Sequence, residues 1–415
     1  MSRAGAARQR APFRTEMGPG ALLGVIMERG GGTRKDLIER TGLARATLEA
    51  RLSELLATGF LVEDVAPTTG GGRPPRRVAF NPSGGHLVCV ELGSRRSRIG
   101  IADLGGHLLA TEGLDLDMDA GPGVLLGSIG TQLRALIARR GVDPGSVLGV
   151  GVGLPSPVEL GGRMARPPST GTGPLEGQWA DLIVGQEIAA FLPALGISAA
   201  APVVVDKDAN LMALGEWKSS WPQARDLIVV NVDIGLACGI VAGGQVVRGA
   251  AGMAGDLAHV PDPDSDVRCR CGEVGCAEVT ASLAAIGREL GYTTDEREWA
   301  DQIARSLHEG VPEVVAAVSR VGGRLGRVIA GAVATLNPRL VVVGGRLAGE
   351  QPLFVDVIRE AAVARLHPLV AATTQVVGTS GKQDACLQGA AFVAREKALD
   401  PLLIDALILA RLGNR

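Results

Sequence analysis

Apolar residues along the chain change period several times, and each change marks an element boundary. From Met17 onward, Ala21, Leu22, Val25 and Ile26 recur at helical spacing, Leu37 and Ile38 follow Thr33, and Thr47, Leu48, Leu52, Leu55 and Leu56 form a third apolar face. Three short helices are predicted, with Gly42 between the second and third, where a tight turn needs a residue that tolerates left-handed dihedrals. The pattern then shortens to strand length. Gly59 to Val62 and Val78 to Phe80 read as two strands around the basic, Gly/Pro-rich loop Thr68 to Arg77, which makes a wing. Residues 17–80 are therefore expected to form a winged helix-turn-helix, with a small helical oligomerisation domain as the plainer alternative. Residues 1–16 lack apolar periodicity and are expected to be a mobile basic arm.

Past Asn81 a weak internal repeat emerges. Leu87 to Val90 runs into Glu91-Leu92-Gly93, a second strand at Ile99 to Ala102 and a Gly105-Gly106 turn. Leu227 to Val230 does the same through Asp233-Ile234-Gly235, Gly239 to Ala242 and Gly243-Gly244. Strand, glycine turn, strand and Gly-Gly hairpin, twice over and each time followed by helices, predict two similar α/β lobes with a cleft between them. This arrangement resembles the actin-like, ribonuclease H-like fold of sugar kinases, with the first lobe at 81–205 and the second at 206–415. The C-terminal helix is expected to pack back on the first lobe.

Composition narrows the class. With 46% hydrophobic and 21% charged residues among 415, the chain is neither disordered nor fibrous. Mean hydropathy is +0.22, yet the longest apolar stretches are interrupted by Asn231 and Asp233, or by Asn337, Pro338 and Arg339, so no membrane span is expected. The four arginines before residue 15 precede no apolar signal-peptide core, and a cytoplasmic location is expected. The formal net charge of −2 conceals an asymmetry, because residues 1–80 carry 13 Lys and Arg against 8 Asp and Glu. A basic head on an acidic body suits a nucleic-acid-binding unit joined to a separate domain, although a solvated basic tail would give the same sum.

Cys269, Cys271 and Cys276 place three of the six cysteines within eight positions, with His259 ten residues upstream. In a reducing compartment clustered thiols hold metal more often than they pair, and three thiolates with one imidazole complete a tetrahedral, closed zinc shell. A structural zinc is expected, with Gly272 and Gly275 letting the backbone fold around the ion. Cys89, Cys238 and Cys386 stand alone in apolar surroundings and read as core residues. Asp208 follows the strand Val203 to Val205 and precedes a helix, a position equally suited to a helix cap and to a base taking a proton from a sugar hydroxyl.

Four segments in order carry a resemblance: Gly149 to Pro157, Val205 to Asn210 with Gly215-Glu216, Gly252 to His259, and Cys269 to Glu278. Together they resemble the ROK family of repressors, open reading frames and sugar kinases over about residues 81–395. The segment Thr33 to Leu61, including the run from Thr41, resembles the winged helix-turn-helix of bacterial transcription factors over its whole length, as in the repressor branch. The resemblance implies a DNA-binding repressor that senses a sugar or sugar phosphate, acting as a homodimer or homotetramer on a double-stranded operator. It implies that Asp208 stands on the kinase base, that His259 and Glu278 face the sugar, and that His259 also serves the metal. Lys207 stands where the family has a sugar-binding asparagine, and Asp256 where it has glutamate.

An ATP-dependent sugar kinase with an added DNA-binding head is the competing class, and a regulator answering to a protein partner is a third. A kinase of this fold needs glycine turns whose N–H groups cradle phosphates. Here the first turn reads Glu91-Leu92-Gly93-Ser94-Arg95-Arg96 instead of an Asp-x-Gly-Gly-Thr type, and the second reads Asp233-Ile234-Gly235-Leu236-Ala237 instead of Gly-Thr-Gly-x-Gly. Side chains crowd the phosphate path and Asp233 repels an anion, so no enzyme activity is expected. The loop Pro168 to Gly173 lies where relatives close on sugar, and carries little weight. On the DNA side, Arg73 in its Gly-Arg-Pro frame fits a narrow A·T-rich minor groove, and Arg45, Thr47 and Arg51 would face the major groove, with Arg51 as an alternative phosphate contact.

Overall fold

The structure, a computed structural model, describes residues 17–65, 76–93, 96–116, 118–159, 182–293, 296–379 and 384–413, with residues 162, 164 and 179. The arm, the tip of the wing with Arg73, and the loop at 168–173 lie outside the described residues.

The three head helices span Pro19–Arg29, Arg34–Thr41 and Arg45–Ala57. Thr33 starts the second with a reciprocal cap: its hydroxyl accepts from the Asp36 N–H, and the Asp36 carboxylate accepts from the Thr33 N–H. Gly42 ends that helix at φ 68°, the left-handed geometry its place in the turn required. Leu48, Leu52 and Leu55 are fully buried beneath the third helix together with Leu22, Ile26, Leu37 and Phe60. The wing strands β2 (Leu61–Val65) and β3 (Arg76–Phe80) are antiparallel, and β3 also pairs with the two-residue strand β1 (Gly32–Thr33). A strand of two residues is too short to produce an alternating pattern, so β1 was invisible in the sequence.

The body contains two five-stranded sheets. The first comprises β4 (His86–Glu91), β5 (Ser97–Asp103), β6 (Leu108–Leu114), β7 (Val147–Leu154) and β8 (Val203–Lys207), in the order β6-β5-β4-β7-β8. The second comprises β9 (Leu227–Val232), β10 (Leu236–Ala242), β11 (Gln245–Val246), β12 (Leu340–Gly344) and β13 (Gln375–Gly378), in the order β11-β10-β9-β12-β13. Both run 3-2-1-4-5, with the first three strands antiparallel and the last two added in parallel. The sequence repeat is thus a repeat of topology. β7 and β12 are interior strands with parallel neighbours, and every residue in both is buried, which explains their unbroken apolar character.

Between the sheets lie two helices, Asp208–Ser220 and Ala385–Ala398, packed on each other. The second rests on β4 and β7, the first on β9 and β10. Each contact in this stack contains a glycine where a methyl group would collide with backbone. A Cβ on Gly151 of β7 would lie 2.0 Å from the Ala390 carbonyl oxygen, on Gly215 2.0 Å from that of Ala385, on Gly389 1.9 Å from that of Leu211, and on Gly239 of β10 2.0 Å from that of Ala209. Sheet, helix, helix and sheet therefore approach to backbone contact.

The last helix, Pro401–Gly413, leaves the first lobe and packs on the head. Ile404 and Ile408 are buried in a core shared with Leu22 and Ile26, the Asp405 carboxylate accepts the Gly20 N–H at 2.7 Å, and Arg411 donates to the Thr58 carbonyl at 3.2 Å. Two helices thus divide the part expected of one, Ala385–Ala398 covering the first lobe and Pro401–Gly413 the head. Among the described residues no helix is long and apolar enough to cross a membrane.

Candidate functional site

The third head helix buries Leu48, Leu52 and Leu55 on one side, which fixes what it turns outward. Arg45, Ala46, Ala50 and Ser53 are exposed; Thr47 and Arg51 lie one turn apart on the flank, half-buried, with Arg51 paired to Glu54 at 3.4 Å. Arg45 has the exposure expected of a base reader, whereas Arg51 is engaged along its own helix. Ala46, Ala50 and Ser53 were missed as candidates although the leucine period gave their direction. Such small side chains would let the helix axis come close to base edges, and alanine methyls suit thymine methyl groups. Arg34 reaches Glu49 of this helix at 2.9 Å and Glu63 of β2 at 2.6 Å, and Arg76 of β3 reaches Glu63 at 2.8 Å. These pairs lock the helix and the wing in one orientation, and the two guanidiniums hold the Glu63 carboxyl below its usual range.

In the second lobe the segment after β11 turns back on itself in tight loops. Cys269 N–H donates to the Glu273 carbonyl and Gly275 N–H to that of Val267, while Gly272 and Gly275 take φ 97° and 78°. A Cβ on Gly275 would lie 2.4 Å from the Asp262 carbonyl oxygen, so no other residue fits there. This folding brings the ligand atoms of His259, Cys269, Cys271 and Cys276 within 4.8 Å of one another, with Cys271 and Cys276 sulfurs 3.5 Å apart and His259 Nδ1 3.9 Å from Cys269 sulfur. A tetrahedral zinc with Zn–S bonds of about 2.3 Å needs sulfurs about 3.7 Å apart, so the donor set and its spacing fit the ion. Burial and the adjoining thiols push Cys276 up to about 12, and a bound cation is what would release such protons. The cluster can therefore hold a metal.

Around it lie the cleft candidates, in two groups. Lys207 ends β8 and Asp208 opens the helix that crosses into the second lobe; Lys207 and Asp256 both act on the thiol of Cys238, in opposite senses. Glu278 adjoins Cys269 and is paired to Arg270 at 2.7 Å, placing it beside His259 and the metal cluster. Asp256 precedes the short helical turn that ends in His259, which links the groups. Asp208 is half-buried, with its carboxylate accepting the Ala209 N–H at 2.6 Å. Burial pushes its carboxyl up to about 6 against the opposing effects of that N–H and of Lys207.

Glu91 and Cys386, which the sequence suggested only as a turn residue and a core residue, lie beside Asp208, and Arg98 and Asp384, which gave no sequence signal, join them through Glu91. Burial lifts Glu91, the last residue of β4, to about 7, with Arg98 opposing and Asp208 and Asp384 adding to the rise; Cys386 shares a hydrogen bond with it. Arg98 is itself ion-paired to Asp384. In the second turn, the Asp233 side chain accepts the Ile234 N–H at 2.9 Å, using an amide that a phosphate cradle would present. The Glu278–Arg270 pair stands over Gly235 of the same turn. A separate groove of about 450 Å³ lies between helix Pro122–Arg139 and the segment 182–195, and none of the candidates lines it.

The ROK family match spans residues 87–397, from β4 through the helix that covers the first lobe. The chain belongs to the ROK family. The xylose repressor of Caldicellulosiruptor bescii is 26% identical over 358 residues, covering 82% of this chain and 85% of that repressor. The glucokinase of Halalkalibacterium halodurans is 28% identical over 213 residues, covering 47% of this chain and 64% of the kinase. Among solved structures, a ROK family transcriptional regulator described as a homolog of the E. coli MLC protein superposes with a TM-score of 0.72 at 24% identity, over 94% of this chain and 98% of its own. Likeness to ROK repressors thus extends over four fifths or more of the chain, head included, whereas a solved ROK glucokinase from Streptomyces griseus covers 75% of it, with a TM-score of 0.59 at 24% identity.

Proposed function

We propose that this ROK protein is a DNA-binding transcriptional repressor whose body senses a sugar. The carrying observation is a winged helix-turn-helix that exposes Arg45, Ala46, Ala50 and Ser53 on one face while sharing its core with a helix continuing from the lobes. In this reading the third helix reads the major groove through Arg45 and Thr47, Arg51 contacts base or phosphate, and Arg73 enters the minor groove. A structural zinc on His259, Cys269, Cys271 and Cys276 fixes the loop that carries Asp256 and sets Glu278 beside the cleft. The sugar lies against Lys207, Asp208, Asp256, His259 and Glu278. The protein works in the cytoplasm as a homodimer or homotetramer, since a two-fold operator needs two heads.

Catalysis is absent from this reading because the second turn spends an amide on Asp233 and the first carries Glu91 where phosphate would have to approach. The test is selection of duplexes from a randomised library at fixed physiological salt, followed by fluorescence anisotropy on the enriched sequence with and without sugars. An inverted repeat bound in the nanomolar range, released by a sugar, is expected. Binding that is equal on all duplexes would overturn the repressor assignment. Sustained ATP turnover with a hexose, abolished by Asp208→Asn, would overturn the exclusion of catalysis.

A further inference from the structure

Lys207 is 8% exposed: its stem is packed at the end of β8, and a lysine held in place in this way presents its ammonium to an anion with little further ordering. Its backbone N–H donates to Asp206, but among the described residues its ammonium has no hydrogen bond or ion pair. The carboxylates nearby are already engaged. Asp206 receives Arg248 at 2.7 Å and Asn210 at 2.8 Å, Glu278 holds Arg270 at 2.7 Å, and Asp208 accepts from the Ala209 N–H at 2.6 Å. Asp256, half-buried, also has no hydrogen-bonding or ionic partner among the described residues, and it is not within ion-pair distance of Lys207 although both act on Cys238. Lys207 stands two residues before Ala209, whose carbonyl lies against Gly239 of β10, and Asp256 follows Gly255, which lies against the Cys238 carbonyl of the same strand, so an unpaired ammonium and an unpaired carboxylate flank β10 at Cys238 and Gly239.

A bare anion would suit Lys207 and be repelled by Asp256. A neutral polyol would suit Asp256 and leave the ammonium without a counter-charge. A molecule carrying both one anionic group and several hydroxyls satisfies the two together, through a charge-assisted bond to the ammonium and hydroxyl donors to the carboxylate. Resting on the sugar-sensing reading of this cleft, we propose that the effector is an acidic sugar, bearing one carboxylate or one phosphate, whose anion pairs with Lys207 and whose hydroxyls donate to Asp256. The departure of Lys207 from the family's asparagine then becomes the specificity determinant of this chain.

Calorimetric titration of the full-length, metal-loaded protein tests this with D-glucose, D-xylose, D-glucuronate, D-glucose 6-phosphate and inorganic phosphate, on wild type, Lys207→Met and Lys207→Arg. At least one acidic sugar is expected to bind wild type at least tenfold more tightly than D-glucose. Lys207→Met is expected to lose that preference, and Lys207→Arg to keep most of it. Preference for glucuronate identifies a carboxylate effector, preference for glucose 6-phosphate a phosphorylated one, and either supports the proposal. Without ligand, Lys207→Met should melt no lower than wild type, since it keeps the packed stem and removes only a charge without an ion-pair partner among the described residues, which separates lost recognition from lost folding. Neutral sugars binding wild type as tightly as acids, inorganic phosphate binding as tightly as the sugar phosphate, an acid preference retained in Lys207→Met, or no binding by any of the panel would each overturn the proposal. Anisotropy on the selected duplex separates the two readings. DNA selectivity without acidic-sugar binding leaves the repressor and removes the acidic effector, whereas acidic-sugar binding through Lys207 without DNA selectivity removes only the repressor.

Discussion

Replacing Gly389 with alanine tests the glycine-lined helix stack between the lobes. The added methyl would lie 1.9 Å from the Leu211 carbonyl oxygen, 2.5 Å from its carbon and 2.7 Å from its Cα, all of them backbone atoms that cannot rotate aside. Ordinary contact for a Cβ begins at 3.4 Å, so helices Asp208–Ser220 and Ala385–Ala398 must part by about 1.5 Å. Each helix is also held against its own sheet by a glycine, Gly239 on one side and Gly151 on the other, so the displacement cannot be absorbed locally. Overpacking a rigid core typically costs about 1–3 kcal/mol, and a backbone collision with no escape belongs at the upper end, about 3 kcal/mol. Gly323→Ala is the matched control, because that helical glycine has nothing within 4 Å and alanine there should be neutral or stabilise by up to about 1 kcal/mol. Urea unfolding followed by circular dichroism should give a clearly lower midpoint for Gly389→Ala and an equal or higher one for Gly323→Ala. A Gly389→Ala midpoint equal to that of wild type would refute the argument, because the two helices would then have room to yield.

The remaining predictions concern the metal, the DNA contacts and pH. Purified protein should carry about one zinc per chain, and Cys271→Ser should lose it and melt lower; full zinc retention by the mutant would exclude Cys271 as a ligand. On matched probes at fixed salt, Arg45→Ala should relax preference within the half-site by about 1–3 kcal/mol, and Arg73→Ala should cost more on A·T-rich than on G·C-rich flanks; equal losses on all probes would reduce both to phosphate contacts. Asp208 has a folded-state carboxyl raised to about 6, so the folded protein holds a proton that the unfolded chain has released, and stability from this group declines as pH rises from about 4 to 6. Asp208→Asn should therefore stabilise at pH 7.5 by up to about 2 kcal/mol, with the gain fading toward pH 4; an effect independent of pH would contradict the burial of this group.

What could be read in the sequence divides along physical lines. Elements built from a sustained period were legible: the leucines under the third head helix, the paired strands of each lobe, and Gly42 at its turn all follow from local chemistry. The closeness of the cysteines in sequence, with His259 only ten residues away, made the metal cluster legible too. The group around Glu91 and Asp208 was not, because Glu91, Arg98, Asp384 and Cys386 come from distant stretches that only the completed first sheet and its covering helix bring together. The small face Ala46, Ala50 and Ser53 was overlooked because recognition was sought in charge rather than in the direction opposite the leucines. Arg51, read from the sequence as a base or phosphate contact, is paired to Glu54, and such a salt bridge depends on rotamers that periodicity does not reveal.

The bond between Gly20 and Asp405 joins residues 385 positions apart, and Ile404 and Ile408 fill the head's own core. Most of a chain made from its N-terminus would therefore be synthesised, including both lobes, before the segment that completes the head has emerged. An interrupted or proteolytically shortened chain would hold three head helices with an unfilled apolar face, a form exposed to degradation and poorly shaped for an operator. Under the proposed function, competence to bind DNA is thereby tied to completion of the body, so that heads without it would not be released to occupy operators permanently.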